Sequence, residues 1–280
     1  MKRILCLLAV IMLTACGNKN EASVNPLGSI EKETSATVSQ TVTETTAENT
    51  VTQTTTRSTV KKSEKSEPVI VDVPYYSQKD YPTGCELVSM SMVLAFYGFD
   101  IKAGDIIKKG YLESVEIHTK DKKNPVKYGG DPNLVFIGNP NKNSGYGCLS
   151  GAVRLALRNY LNEQEEKHDK RYRVKNIGGM SLDEICENYI DNGIPVVVWC
   201  SIYMKPTFTN LRNSWIIEST DERYIWKSNE HCLVLVGYDD ENYYFNDPLV
   251  KKNTKYMKRL AERRYCEMGM QAIAVEEVSP

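Results

Sequence analysis

A small set of side chains stands where a thiol could be made to react. Cys85 lies in Thr83-Gly84-Cys85-Glu86, just ahead of an apolar run that reaches Phe96. A structural cysteine would sit in the middle of such a run, on its apolar face; this one falls in the first turn of the helix that the run predicts. Thr83 and Glu86 have capping-box spacing, with Thr83 as the cap and Glu86 folding back. Unpaired N–H groups and the positive end of the helix dipole concentrate there, so a thiolate at Cys85 is stabilised relative to the thiol. His231 opens one of the most apolar stretches of the chain. A general base must be held rigidly, and the end of a buried strand holds it so. A turn at Asp239 to Asn242 then sends the chain back to Asp247-Pro248, an antiparallel hairpin whose far end can set a hydrogen-bond acceptor beside the imidazole. Asp247 is that group, or Asn246 if the register slips by one. His118 and His168 lie among Lys, Asp and Glu and read as solvated surface. Cys148, in Gly145-Tyr146-Gly147-Cys148, also follows a glycine and precedes a helical run, which makes it a rival nucleophile. It lacks an upstream glutamine like Gln78, which stands seven positions before Cys85.

The rest of the chain must position these groups. It has 280 residues, a net charge of −1 and no long basic stretch, so nothing in it suggests a nucleic-acid groove. Lys2-Arg3 precede an apolar run ending at Leu13-Thr14-Ala15-Cys16. That run has the length of a secretory signal core and is too short to span a bilayer, so residues 1–15 read as a signal peptide. Small residues before a cysteine resemble the bacterial lipobox, which implies a lipidated Cys16 and a protein anchored on the extracytoplasmic face of the cell membrane. From Glu21 to Glu67, 19 of 47 residues are Ser or Thr, and no aromatic residue precedes Tyr75. Residues 16–67 are therefore expected to be a disordered tether, and 68–280 one well-cored domain. Of the six later cysteines, Cys186, Cys200, Cys232 and Cys266 sit in apolar patterns and read as small buried hydrophobes, with no compact disulfide framework. No Cys-x-x-Cys or His-rich spacing argues for a metal, and no cofactor is called for.

Within the domain, Val69 to Val73 reads as a strand and Thr83 to Phe96 or Tyr97 as a helix stopped by Gly98. A long loop over Tyr128 to Gly147 precedes a helix over Leu149 to Leu161. Ser181-Leu182-Asp183-Glu184 boxes a further helix that runs to Ile190 and stops at Gly193. A buried strand follows Pro195, then the His231 hairpin, a helix over Tyr256 to Tyr265 and a strand over Gln271 to Val275. Helices followed by strands indicate an α+β fold, with the Cys85 helix on an antiparallel sheet. Trp199, Trp215 and Trp226 belong to the core or to the rim of a cleft.

Taken together, "VPYYSQ", "PTGCE", the Gly-Asn-Pro and Ser-Gly-Tyr-Gly loop segments, "HCLVLVGYD" and "YYFNDP" cover nearly all of Val69 to Val275. They resemble the papain-like cysteine peptidases, and within them the C39-like branch found on bacterial surface lipoproteins. The 146 residues from Cys85 to His231 agree with the roughly 130–150 of the papain arrangement. The resemblance implies a papain-like fold and hydrolysis of a peptide or protein substrate by a monomer. It makes Cys85 the nucleophile, His231 the base, Asp247 the orienting third member and Gln78 the side-chain donor to an oxyanion hole completed by the Cys85 N–H. Transporter-linked members carry membrane-spanning and nucleotide-binding parts, which do not accompany the domain in this sequence, so leader trimming during export is not expected. Two alternatives stay open: hydrolysis of peptidoglycan cross-links with the same groups, and a non-catalytic binding module that keeps the fold.

Overall fold

The computed structural model describes residues 67–165, 167 and 170–278, all within the compact unit Lys61–Pro280. The expected signal peptide, Cys16, His168 and all but the last residue of the expected tether lie outside the described residues.

The chain begins with β1 (Val69–Ile70), α1 (Cys85–Phe96) and α2 (Ala103–Lys108). The strands β2 (Ser114–Val115), β3 (His118–Asp121), β4 (Asn124–Gly129) and β5 (Phe136–Ile137) precede α3 (Ser150–Glu165) and β6 (Arg171–Asn176). Then come α4 (Leu182–Asn188), β7 (Val196–Ser201), β8 (Phe208–Ile217), β9 (Arg223–Ser228) and β10 (Glu230–Tyr238). The chain closes with β11 (Asn242–Asn246), β12 (Thr254–Met257), α5 (Lys258–Glu267) and β13 (Ala272–Val278). Helices and strands thus interleave rather than falling in two blocks, but the fold is α+β as expected. Its main sheet has the order β12-β11-β10-β7-β13-β6, with β1 added to the far end of β10, and every pairing in it is antiparallel.

β-Branched residues explain the centre of that sheet. Val196, Val197 and Val198 in β7 and Leu233 to Val236 in β10 are wholly buried, and side chains of alternating direction must then meet apolar layers on both faces. Trp199 pairs with Cys232 across the ladder, and the Ser89 hydroxyl of α1 donates to the Cys232 carbonyl at 3.2 Å, which ties α1 to β10. The adjacent pair is Cys200 and His231. Helix α1 is buried on every side from Cys85 to Leu94, which accounts for its lack of a polar stripe. Its two buried serines satisfy their hydroxyls on backbone carbonyls, Ser91 on Leu87 at 3.0 Å.

Several boundaries differ from the sequence expectation. The first strand is only two residues long; Val71 still donates to the Val236 carbonyl at 2.7 Å, and Asp72 to Pro74 lie outside any strand. Helix α1 starts at Cys85 with Gly84 as its N-cap and no side-chain cap. The Thr83 hydroxyl instead donates to the carbonyls of Asn139 and Lys142, so the capping box expected at Thr83 and Glu86 does not form. The box at Ser181 and Glu184 does form, and Gly193 follows in the left-handed conformation expected of a stop. The strand β12 takes the first residues of the expected last helix. A second sheet, β3-β4-β8-β9, was not foreseen; only the last two residues of β4, Tyr128 and Gly129, come from the segment expected to be loop. Trp215, Trp226, Ile217 and Ile137 form a satellite core under it, packed by Tyr146 and Tyr224. Cys266 is exposed on α5, a correction to the buried reading, whereas Cys186, Cys200 and Cys232 are buried as expected. All six cysteines of the described residues are free thiols.

Candidate active site

Gln78, Cys85 and His231 line one cavity of about 250 Å³, walled by Tyr146, Trp226, Asn213 and Ser228 from the second sheet and its neighbouring loop. Cys85 reaches it as the first residue of α1, and His231 as the second residue of β10. Both are therefore at element ends beside an opening, on elements locked by the apolar core.

The hairpin decides between Asn246 and Asp247. Val234 of β10 is opposite Asn246 of β11, so the next residue, Asp247, falls opposite Leu233, on the face that alternation assigns to His231. Asp247 Oδ1 lies 2.8 Å from His231 Nε2. Asn246 turns the other way: its amide donates to the Val73 carbonyl at 3.1 Å and accepts from the Asn253 N–H at 3.1 Å. The carboxylate of Asp247 is fully buried and well supplied with donors, Tyr256 Oη to Oδ2 at 2.8 Å and the Leu249 N–H to Oδ1 at 3.0 Å. Burial alone would raise its pKa, but the hydrogen bond and charge of His231, with these donors, hold it below the ordinary value. An ionised carboxylate only accepts, so Nε2 carries the hydrogen, and when the imidazole is neutral it is Nδ1 that has the lone pair.

Gln78 is held by its own loop. Its N–H donates to the Pro248 carbonyl, just past Asp247, at 3.0 Å, and its side-chain amide donates to the Pro82 carbonyl at 3.3 Å. The same amide also lies 3.5 Å from the Tyr81 carbonyl, a long bond that a charged acceptor can displace. The Gln78 carbonyl oxygen Oε1 is buried with no partner.

The thiol departs from the expectation of a lowered pKa. Cys85 Sγ donates to Glu86 Oε2 at 3.4 Å, not to His231. Burial, then the charges of Glu86 and Glu230, push the Cys85 thiol well up, while the Cys232 N–H pulls in the opposite direction. Glu86 is fully buried; its other oxygen accepts the Cys148 N–H at 2.6 Å. Burial raises its carboxyl from 4.5 to about 7 despite this bond and those from its own backbone N–H and Cys85. Glu230, the residue before His231, is likewise raised well above the ordinary carboxyl value, by burial and then by the charge of Glu86. Cys85 Sγ and one carboxylate oxygen from each of Glu86 and Glu230 lie within 4.8 Å of one another. The sequence reading treated Glu86 only as a cap and overlooked Glu230. The available signal was a glutamate opening a strand otherwise made of buried apolar residues.

Of the remaining sequence candidates, Cys148 is wholly buried behind Glu86 and is not among the residues lining the cavity. His118 is exposed beside Glu218, as its surroundings suggested. Trp199 is core, its indole N–H on the Cys148 carbonyl at 3.1 Å; Trp215 is core, and Trp226 is both core and cavity wall.

Comparison with known proteins gives the chain's similarities. A protein of Bacillus subtilis strain 168, YvpB, itself uncharacterized, is 26% identical over 214 residues, 74% of this chain and 76% of its own. The crystal structure of a C39-like peptidase candidate from Bacillus anthracis matches with a TM-score of 0.62 and 26% identity, covering 77% of this chain and all of that one. A double-glycine-motif protease of an AMS/PCAT transporter, solved with a leader peptide, matches at a TM-score of 0.38 and 16% identity. The helix bearing Cys85 and the hairpin bearing His231 and Asp247 both fall inside residues 70–273, the span matched by the model of the Peptidase_C39 like family, and the chain belongs to that family.

Proposed function

We propose that the protein hydrolyses peptide bonds with Cys85 as nucleophile, His231 as base, Asp247 as its orienting partner and Gln78 as oxyanion donor. The observation that carries this reading is the His231–Asp247 pair at 2.8 Å in the wall of the cavity that Cys85 and Gln78 also line. Asp247 fixes the tautomer, leaving Nδ1 to take the thiol proton once Sγ turns from Glu86 toward the cavity. The thiolate adds to the substrate carbonyl, and the oxyanion takes the Gln78 N–H from its long bond to the Tyr81 carbonyl and meets the helix-terminal N–H of Cys85. Protonated His231 then gives its proton to the leaving amine, and water, deprotonated by the same imidazole, releases the acyl group and regenerates the thiol. Cys16 is the proposed lipid anchor, holding this domain outside the cell membrane. The function is tested by incubating the protein with a random peptide library and with purified cell wall. Peptide cleavage abolished by Cys85→Ala and by His231→Ala is expected; binding without cleavage would favour the non-catalytic alternative.

A further inference from the structure

The second sheet carries a charged face that the catalytic site does not use. Lys127 of β4, Leu211, Arg212 and Ser214 of β8 and Arg223 of β9 line a surface cavity of about 500 Å³, and no carboxylate lines it. Among the described residues none of these three cations has an acidic partner. Lys127 Nζ donates to the Arg212 carbonyl at 2.9 Å and Arg223 Nη1 to the Ser214 hydroxyl at 3.1 Å, both neutral acceptors. Lys122 and Lys123, exposed on the β3–β4 turn, extend the positive charge. The one acid of that hairpin, Asp121, accepts the Lys123 N–H at 2.8 Å; Asp221 and Glu222 belong to the β8–β9 turn, outside the lining. Like charges gathered without counter-charge attract an anion from outside.

The apolar neighbours of these cations narrow the choice of anion. In β8 the four residues Asn210 to Asn213 stand opposite the single residue Trp226, between the pairs Thr209–Lys227 and Ser214–Ile225. Leu211, within this outgrowth, is 70% exposed, the most of any large apolar side chain among the described residues. Ile225, also exposed, is cross-strand from Ser214 and so shares its face. A soluble polyanion would pair the cations and leave Leu211 in water. An anionic bilayer surface accommodates both, with phosphates at the cations and the acyl boundary at the leucine. We propose that this face of the second sheet docks on an anionic phospholipid surface, Leu211 entering the headgroup boundary and Lys127, Arg212 and Arg223 contacting lipid phosphates. The docking rests on the Cys16 anchor only in that a tethered domain stays near a bilayer, and it is independent of the peptide chemistry. The 51 residues from Cys16 to Glu67 can extend to at most about 170 Å. The tether enters the domain at β1, on the far end of the nine-residue β10, about 30 Å from the β10 start that follows β9, so its length permits this docking. Asn213, next to Arg212, lines the catalytic cavity, so docking brings the rim of that cavity to the bilayer.

The test is amide hydrogen exchange of the full chain, read over residues 208–214 while vesicles of phosphatidylglycerol or of phosphatidylcholine are titrated in. Three cations at an anionic surface are together worth about a hundredfold in binding, so exchange should slow at about a hundredfold less phosphatidylglycerol than phosphatidylcholine. Lys127→Glu, Arg212→Glu and Arg223→Glu together should abolish that difference, and Leu211→Ser should raise the phosphatidylglycerol required by about tenfold. Unchanged exchange in β7 and β10 shows that a variant still folds. If the triple variant does not, Arg212→Gln, a single change on an exposed side chain, should still raise the requirement by about fivefold. The N-terminal apolar run can hold the chain on either lipid, but it cannot make protection at 208–214 depend on these side chains. Because the vesicles are supplied, the result is also independent of whether Cys16 is lipidated or any peptide is cleaved. Equal protection by the two lipids, protection by neither, or phosphatidylglycerol protection that survives the substitutions overturns the proposal. Equal slowing by soluble polyphosphate at matched phosphate concentration overturns it too, and would make the face a site for soluble polyanions.

Discussion

Asp247 carries two demands at once, orienting His231 through Oδ1 and accepting the Tyr256 hydroxyl through Oδ2. Asn in its place can still offer one oxygen to Nε2–H, whereas Ala offers none and leaves the imidazole free to take the wrong tautomer. In steady-state assays Asp247→Ala should therefore lose kcat/KM much more severely than Asp247→Asn; equal losses would deny the orienting role. Gln78→Ala should lower kcat by about a hundredfold to a thousandfold with a small change in KM, as expected for a donor used mainly in the transition state. A loss confined to KM would make Gln78 a binding residue only. The sequence made these four positions legible because each has a local cause: a helix start, a strand start, a hairpin return and a loop glutamine at fixed offset. Glu86 and Glu230 were not legible in their roles. A glutamate beside a helix start is ordinarily solvated or capping, and only contact with Cys148, 62 residues away, makes Glu86 a buried partner of the thiol.

At the scale of elements, Glu86 ties the start of α1 to the start of α3 through the Cys148 N–H. Its carboxyl is held at about 7 against an ordinary 4.5, so the folded protein binds this proton more tightly than the unfolded chain does. The resulting stabilisation is complete below about pH 4.5 and is lost as pH rises through about 7. Glu230 acts in the same direction. Melting temperatures measured from pH 4.5 to 8 should thus fall on the alkaline side, and Glu86→Gln, which keeps the acceptor for Cys148 and cannot ionise, should flatten the fall. An unchanged profile in Glu86→Gln would place the proton elsewhere. Gly147 protects the same link: at φ +130° it adopts a backbone conformation strained for other residues, and a Cβ there would lie 2.1 Å from Glu86 Oε1. Gly147→Ala should cost about 1–3 kcal/mol in denaturant unfolding, and a neutral outcome would show that Glu86 can move aside. Among elements, the buried strands β7 and β10 were readable from their apolar runs. The second sheet was not, because all of β3 and the first five residues of β8 are exposed, giving no alternation, and β4 pairs with β8 in parallel, some 88 residues later.

For the whole molecule, the composition of residues 16–67 predicts that limited proteolysis cuts first between about Ala22 and Glu67 and leaves a resistant fragment beginning near Val69. Early cuts within 69–278 with the N-terminal segment intact would overturn that division. The central claim is that this domain uses the Cys85 thiol, driven by His231, on peptide carbonyls. Simple alkylation tests it poorly, because exposed Cys266 will react while Cys85, 5% exposed and raised by burial and then by its acidic neighbours, is slow. The direct measurement is peptide mapping after reaction with a library of peptidyl vinyl sulfones, electrophiles that must occupy the substrate site to react. The account predicts an adduct on Cys85 that disappears in His231→Ala. An adduct that survives the loss of His231, or that forms on Cys148 instead, would contradict it.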